Sequence, residues 1–78
     1  MVTPDQIQTY IENALRCTEV RVAGDGQHFE ALVVSEAFRG KSRIQRHQLV
    51  YAALGERMRG EIHALSMRTL TPEEAADG

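Results

Sequence analysis

Three histidines, one cysteine and a run of basic side chains are the groups in this sequence whose chemistry reaches beyond packing. His28 follows a glycine-rich turn and opens an apolar stretch, and His63 opens another thirty-five positions later. If those stretches are neighbouring parallel strands, their first residues come to the same end of one sheet. Two neutral imidazoles at one edge can ligate iron, zinc or copper. Two ligands leave such a site incomplete, so the others would come from a partner, and no local metal-binding spacing is present. His47 falls on the apolar stripe of a helical pattern and reads as a partly buried packing residue. Cys17 is alone and reads as a small buried hydrophobe.

Arg39, Lys41, Arg43 and Arg46 form a basic cluster at an elbow between a strand and a helix. Such a patch can contact phosphates, helped by the donors of a helix N-terminus. The plainer alternative is a solvated polar face with ion pairs to nearby glutamates. No aromatic residue is interleaved to stack on bases. Gly40-Lys41-Ser42 sits where a phosphate-binding loop would lie, but that pattern needs a glycine at the position held by Ser35. No nucleophile–base pair is visible, so the chain is not read as an enzyme.

These groups must be positioned by a small frame. Residues 1–78 make one domain. Hydrophobic content of 42% against 26% charged residues argues for a folded chain rather than a disordered one. A net charge of −2 and a pI near 5.9 count against a domain built mainly to grip nucleic acid. A single cysteine fits a reducing compartment, no apolar run approaches the ~20 residues of a membrane span, and no leader pattern opens the chain. The expected location is the cytoplasm.

Thr3-Pro4-Asp5-Gln6 carries the signature of a capping box with proline at the first helical position. A helix over residues 4–16 should bury Ile7, Ile11, Ala14 and Leu15. Residues 19–23 alternate as a half-buried strand, and Gly24-Asp25-Gly26-Gln27 makes a turn whose glycines supply positive φ. Residues 28–34 form the second strand of the hairpin. Ser35 caps a short helical turn over 36–38, which Gly40 ends, and Ser42 caps the main helix. There Ile44, His47, Tyr51, Leu54 and Met58 predict the buried stripe, flanked by Val50 and Ala53, with Gly60 as the C-terminal cap. Residues 62–70 read as a third strand, parallel to the second through a right-handed crossover. Thr71-Pro72-Glu73-Glu74 starts at most one terminal helical turn. The order αββααβ predicts a two-layer α+β fold, with helices on one face of a three-stranded mixed sheet.

Read together, several separated blocks resemble the BolA family, most closely its IbaG-like bacterial branch. They are the stretch from His28 to Phe38, Gly40-Lys41-Ser42, the run from Gln45 to Leu54, Ile62-His63-Ala64-Leu65, and Thr71-Pro72-Glu73-Glu74. The resemblance covers nearly the whole chain. It implies a class II KH-like fold and a partner, a monothiol glutaredoxin with a CGFS active site. It further implies a [2Fe–2S] cluster shared between the two, with two ligands from the glutaredoxin cysteine and a glutathione thiol. This chain would supply His63, just before the third strand, and His28, from the loop joining the first two. Histidine in place of thiolate lowers the cluster's negative charge and raises its potential, and makes it labile in acid. Without its partner the chain is expected as a monomer or weak homodimer. Some members of the family are described as transcriptional regulators, which makes DNA the partner under the alternative reading, at the basic elbow. Here Arg39-Gly40-Lys41-Ser42 departs from the GxxG with which KH domains clamp a nucleic-acid backbone.

Overall fold

In the computed structural model, residues 2–62 and 64–77 are described. Helix α1 (Pro4–Ala14) begins at the expected capping box. The Gln6 N–H donates to Thr3 Oγ1 (3.2 Å), and the Thr3 N–H donates to Gln6 Oε1 (2.9 Å). The helix stops two residues earlier than expected, because Leu15 is already extended while its N–H closes onto the Ile11 carbonyl. Ile7 and Ile11 are fully buried and Ala14 is exposed, so the buried stripe is narrower than the sequence spacing suggests.

Strand β1 (Glu19–Gly24) and strand β2 (His28–Val34) form the antiparallel hairpin, in a register that pairs Glu19 with Val34 and Gly24 with Phe29. The two glycines of the turn do different work. Gly26 takes the positive φ of 97° that the turn requires. Gly24 is the last residue of β1, and a Cβ there would stand 2.5 Å from both the His28 carbonyl oxygen and Phe29 Cδ1. Close approach, rather than positive φ, demands glycine at that position.

A 3-10 turn (Glu36–Phe38) follows β2 and inserts the fully buried Phe38 into the core. Its cap, Ser35, is itself fully buried. The hydroxyl donates to the Arg16 carbonyl (2.6 Å) and accepts from the Ala37 N–H (3.1 Å), while the Ser35 N–H donates to the Leu70 carbonyl (2.9 Å). Three segments meet at this one residue.

Helix α2 (Arg43–Leu54) starts at Ser42, again through a full capping box with Gln45. It ends at Gly55 (φ 59°, ψ −134°), a region closed to other residues, and a short helix α3 (Arg57–Gly60) follows. The expected stop at Gly60 is therefore wrong. The expected stripe holds in part: Leu54 is fully buried and Met58 half-buried, whereas Ile44 is 71% and Tyr51 41% exposed, and Val50, expected at the flank, is fully buried. Residues 49–54 are apolar throughout, so periodicity alone leaves the buried face undecided, and packing against the sheet selects Val50. His47 is half-buried, as expected. Arg57 stacks over the Tyr10 ring, 3.8 Å from its centroid, and ties α3 to α1.

Strand β3 (Ala64–Leu70) pairs with β2 in parallel, from His28 opposite Ala64 to Val34 opposite Leu70. The sheet order is β1-β2-β3. Helix α4 (Pro72–Asp77) closes the described chain and is longer than the single turn expected, since Thr71 and Glu74 complete a third capping box. Phe29, Ala31 and Val33 of β2 point into a core shared with Val2, Ile7, Ile11, Val20, Phe38, Val50, Leu54 and Ile62. The alternate residues of β2, His28 and Glu30, are exposed on the other face. The two-layer α+β fold predicted from the element order is the one observed.

Candidate functional site

His28 is held by the turn that precedes it. Asp25 Oδ1 accepts the N–H groups of Gln27 and His28, both at 2.9 Å, and the Asp25 N–H donates to the His28 carbonyl (3.2 Å). These backbone donors, that of His28 first, pull the Asp25 carboxyl below its usual range, so it stays ionised beside the histidine. Asp25 two residues before Gln27 is the sequence signal for this loop, since an Asp side chain commonly accepts the backbone N–H two residues on. His28 itself is exposed.

The expected meeting of strand starts is observed for the strands: β2 and β3 are parallel neighbours, and His28 lies in register with Ala64. His63 lies outside the described residues. Among the described residues, no three side chains of histidine, cysteine, aspartate or glutamate gather as a metal site. Cys17 is half-buried against the core, and burial, then the charge of Glu12, pushes its thiol up, away from the reactive thiolate.

The basic elbow divides in two. Arg39 grips Glu36 through two hydrogen bonds (2.9 and 2.8 Å) and pairs with Glu73 of α4. Arg46 donates to the Lys41 carbonyl (3.0 Å), the Thr69 carbonyl (3.1 Å) and Glu74 (2.7 Å), and its side chain is only 14% exposed. Arg46, followed by the Thr71 N–H, holds the Glu74 carboxyl down at about 2, and Arg39 lowers that of Glu73. Lys41 and Arg43 are exposed and without an ion pair among the described residues. The sequence reading grouped all four cations, but two of them act as struts that fasten α4 and the β3 end to the elbow. The Arg39–Glu36 pair is the local ion pairing expected under the plainer reading, whereas Glu73 and Glu74 are far off in sequence and spacing does not reveal them. A groove remains between the start of α2 and β3, lined by Lys41, Arg43, His47, Arg68 and Thr69.

The αββααβ order, the mixed sheet covered on one face and the strand starts aligned at one end define a small α+β domain of the class II KH-like type. The chain belongs to the BolA family: the family model for BolA-like protein matches residues 3–74. It is 44% identical over 73 residues to the acid stress protein IbaG of Escherichia coli, covering 92% of this chain and 87% of that one. Among solved structures, a BolA protein homologue from Coxiella burnetii superposes with a TM-score of 0.85 at 48% identity, covering 97% of this chain and 99% of the other. The DNA-binding transcriptional regulator BolA of Haemophilus influenzae is 41% identical over 51 residues, 65% of this chain and 50% of its own length.

Proposed function

We propose that this chain is a non-enzymatic partner of a monothiol glutaredoxin, and that the two share a [2Fe–2S] cluster through His63 and His28. The observation that carries the reading is the parallel register of β2 and β3 within a BolA-family chain. It sets the exposed His28 opposite Ala64, to which His63 is covalently joined. The parallel register supports the pairing because it brings the start of β3 beside His28 at the same end of the sheet. Two imidazoles from this chain call for two ligands from elsewhere, which the glutaredoxin cysteine and glutathione would supply. The cluster would bring electron-accepting and transferable iron, and the chain's own part is to present two neutral nitrogen donors. Cytoplasmic iron–sulfur assembly, trafficking or iron sensing is the setting that such a labile cluster suits.

Reconstitution with a monothiol glutaredoxin, glutathione and iron tests this. The visible absorption and circular dichroism spectra should differ from those of the glutaredoxin alone, and His63→Ala and His28→Ala should each abolish the difference. An unchanged glutaredoxin spectrum, or variants that behave as the parent, would refute the proposal.

The alternative is a DNA-binding regulator. The Haemophilus relative's name supports it, and so do Lys41 and Arg43, which remain free of ion pairs among the described residues. The engagement of Arg39 and Arg46 restricts it to a small patch. It requires salt-dependent binding whose slope falls by roughly one for each phosphate-contacting residue removed. Absence of binding to promoter DNA at low salt would exclude it.

A further inference from the structure

Strand β3 is an edge of the sheet, and half of its backbone hydrogen-bonding groups face outward. In a parallel ladder the N–H and C=O of one residue point to the same side, and successive residues alternate. The Leu70 carbonyl accepts the Ser35 N–H, which fixes Leu70, and with it Arg68, Ser66 and Ala64, as facing β2. Leu65, Met67 and Thr69 therefore direct their backbone groups to the open edge. The upper end of that edge is closed, since the Arg46 guanidinium takes the Thr69 carbonyl (3.1 Å) and Glu74 takes the Thr71 N–H (2.8 Å). Among the described residues, no hydrogen bond closes the outward groups of Leu65 and Met67. Exposed edges are usually blunted by charged side chains, proline, bulges or covering segments; the seven residues of β3 contain no proline or glycine, and Arg68 is their one charge, which favours an acidic strand over a cationic one.

The side chains around this edge say what would pair with it. Besides the mutually paired Arg46 and Glu74, the groove beside it carries Lys41, Arg43 and Arg68, none of these three ion-paired among the described residues. On β3, the half-buried Leu65 and Met67 pack against the helix-side core, whereas Arg68 and Ser66 are exposed on the other face. An added strand must match that alternation, with apolar residues beside Met67 and carboxylates beside Arg68. A second copy of this chain fits poorly, because it would bring one cationic rim against another.

We propose that the β3 edge is a docking site for an extended, acidic segment of a partner protein, which adds a fourth strand through the Leu65 and Met67 backbone. The segment alternates carboxylate and apolar side chains. This inference is independent of the cluster-sharing reading.

The probe is a labelled nine-residue peptide of alternating glutamate and valine, titrated into the isotope-labelled full chain. Hydrogen exchange at the Leu65 and Met67 amides should slow at least tenfold at saturation. Affinity should fall at least tenfold when alternate peptide nitrogens on the edge-facing side are methylated, or when lysine replaces glutamate. Arg68→Glu, at an exposed position, should reverse the charge preference while leaving the circular dichroism spectrum unchanged. Equal binding by the methylated peptide would overturn the proposal. So would protection confined to α2, or no binding at millimolar peptide. Protection of Leu65 and Met67 without peptide, in a chain that sediments as a dimer, would assign the edge to a second copy and overturn it as well.

Discussion

Replacing Ser35 with alanine removes one hydroxyl and releases two backbone groups at once. The Ala37 N–H loses its cap, and the Arg16 carbonyl loses its donor, at a position with no exposed surface. Loss of a serine cap costs about 1 kcal/mol. A polar group left unmatched near the interior costs about 1–2 kcal/mol more. The expected loss is therefore about 2–3 kcal/mol, which lowers Tm by about 10–20 °C in a domain of this size. Ser42→Ala is the internal control. Ser42 also caps a helix, but it is exposed and water can replace its hydroxyl, so its loss stays near 1 kcal/mol. Urea titrations of the two variants at neutral pH measure both, with the m-value expected to hold. A difference between them under ~0.5 kcal/mol would refute the view that Ser35 binds the α1–β1 link to the end of β2, and with it the addition of the two costs.

The remaining expectations follow from the packing, the turn and the ion pairs. Leu54→Ala should cost about 2–5 kcal/mol by leaving a cavity, whereas Ile44→Ser should change the unfolding free energy by less than about 0.5 kcal/mol; equal losses would restore the stripe read from spacing. Gly24→Ala should destabilise the hairpin and shift the backbone amide resonance of His28, because the new methyl meets the His28 carbonyl and the Phe29 ring; an unshifted spectrum would contradict the close approach. Glu74 is held at about 2 in the folded chain, below the ~4.3 of an unfolded glutamate. Its contribution to stability is thus complete above the unfolded value and is lost as pH falls from there toward 2. In Glu74→Gln the urea midpoint should decline less steeply over that interval; Asp25 and Glu73, also lowered, keep the slope from vanishing. Identical slopes in parent and variant would show that the Arg46 pair does not persist in solution.

Local chemistry made much of this fold legible. The box at Thr3, the caps at Ser35 and Ser42 and the box at Thr71 are all read from three or four adjacent residues, and all are observed. The parallel third strand followed from the length of the crossover. What escaped was decided by tertiary context. The rotation of α2 depended on which side of an apolar run met the sheet, and its end on a glycine conformation at Gly55 that spacing does not reveal. At the site, the place of His28 at the start of β2, beside the start of β3, was legible. The pairing of Arg39 with the nearby Glu36 was legible as the plainer reading of the cluster, whereas the pairs with Glu73 and Glu74 were not, because those residues approach only through folding.

The crossover between β2 and β3 also carries a kinetic consequence. The hairpin of β1 and β2 joins neighbours in sequence and can close in microseconds. His28 and Ala64 pair across thirty-six positions, which include every residue of α2 and α3. That pairing waits for the intervening chain to be organised, since non-local contacts are rewarded only after their loop is closed. On the ribosome it also waits for the last strand to emerge. The end of the sheet that holds His28 is thus completed late, and a partner that reads both strand starts together will recognise only chains that have finished folding.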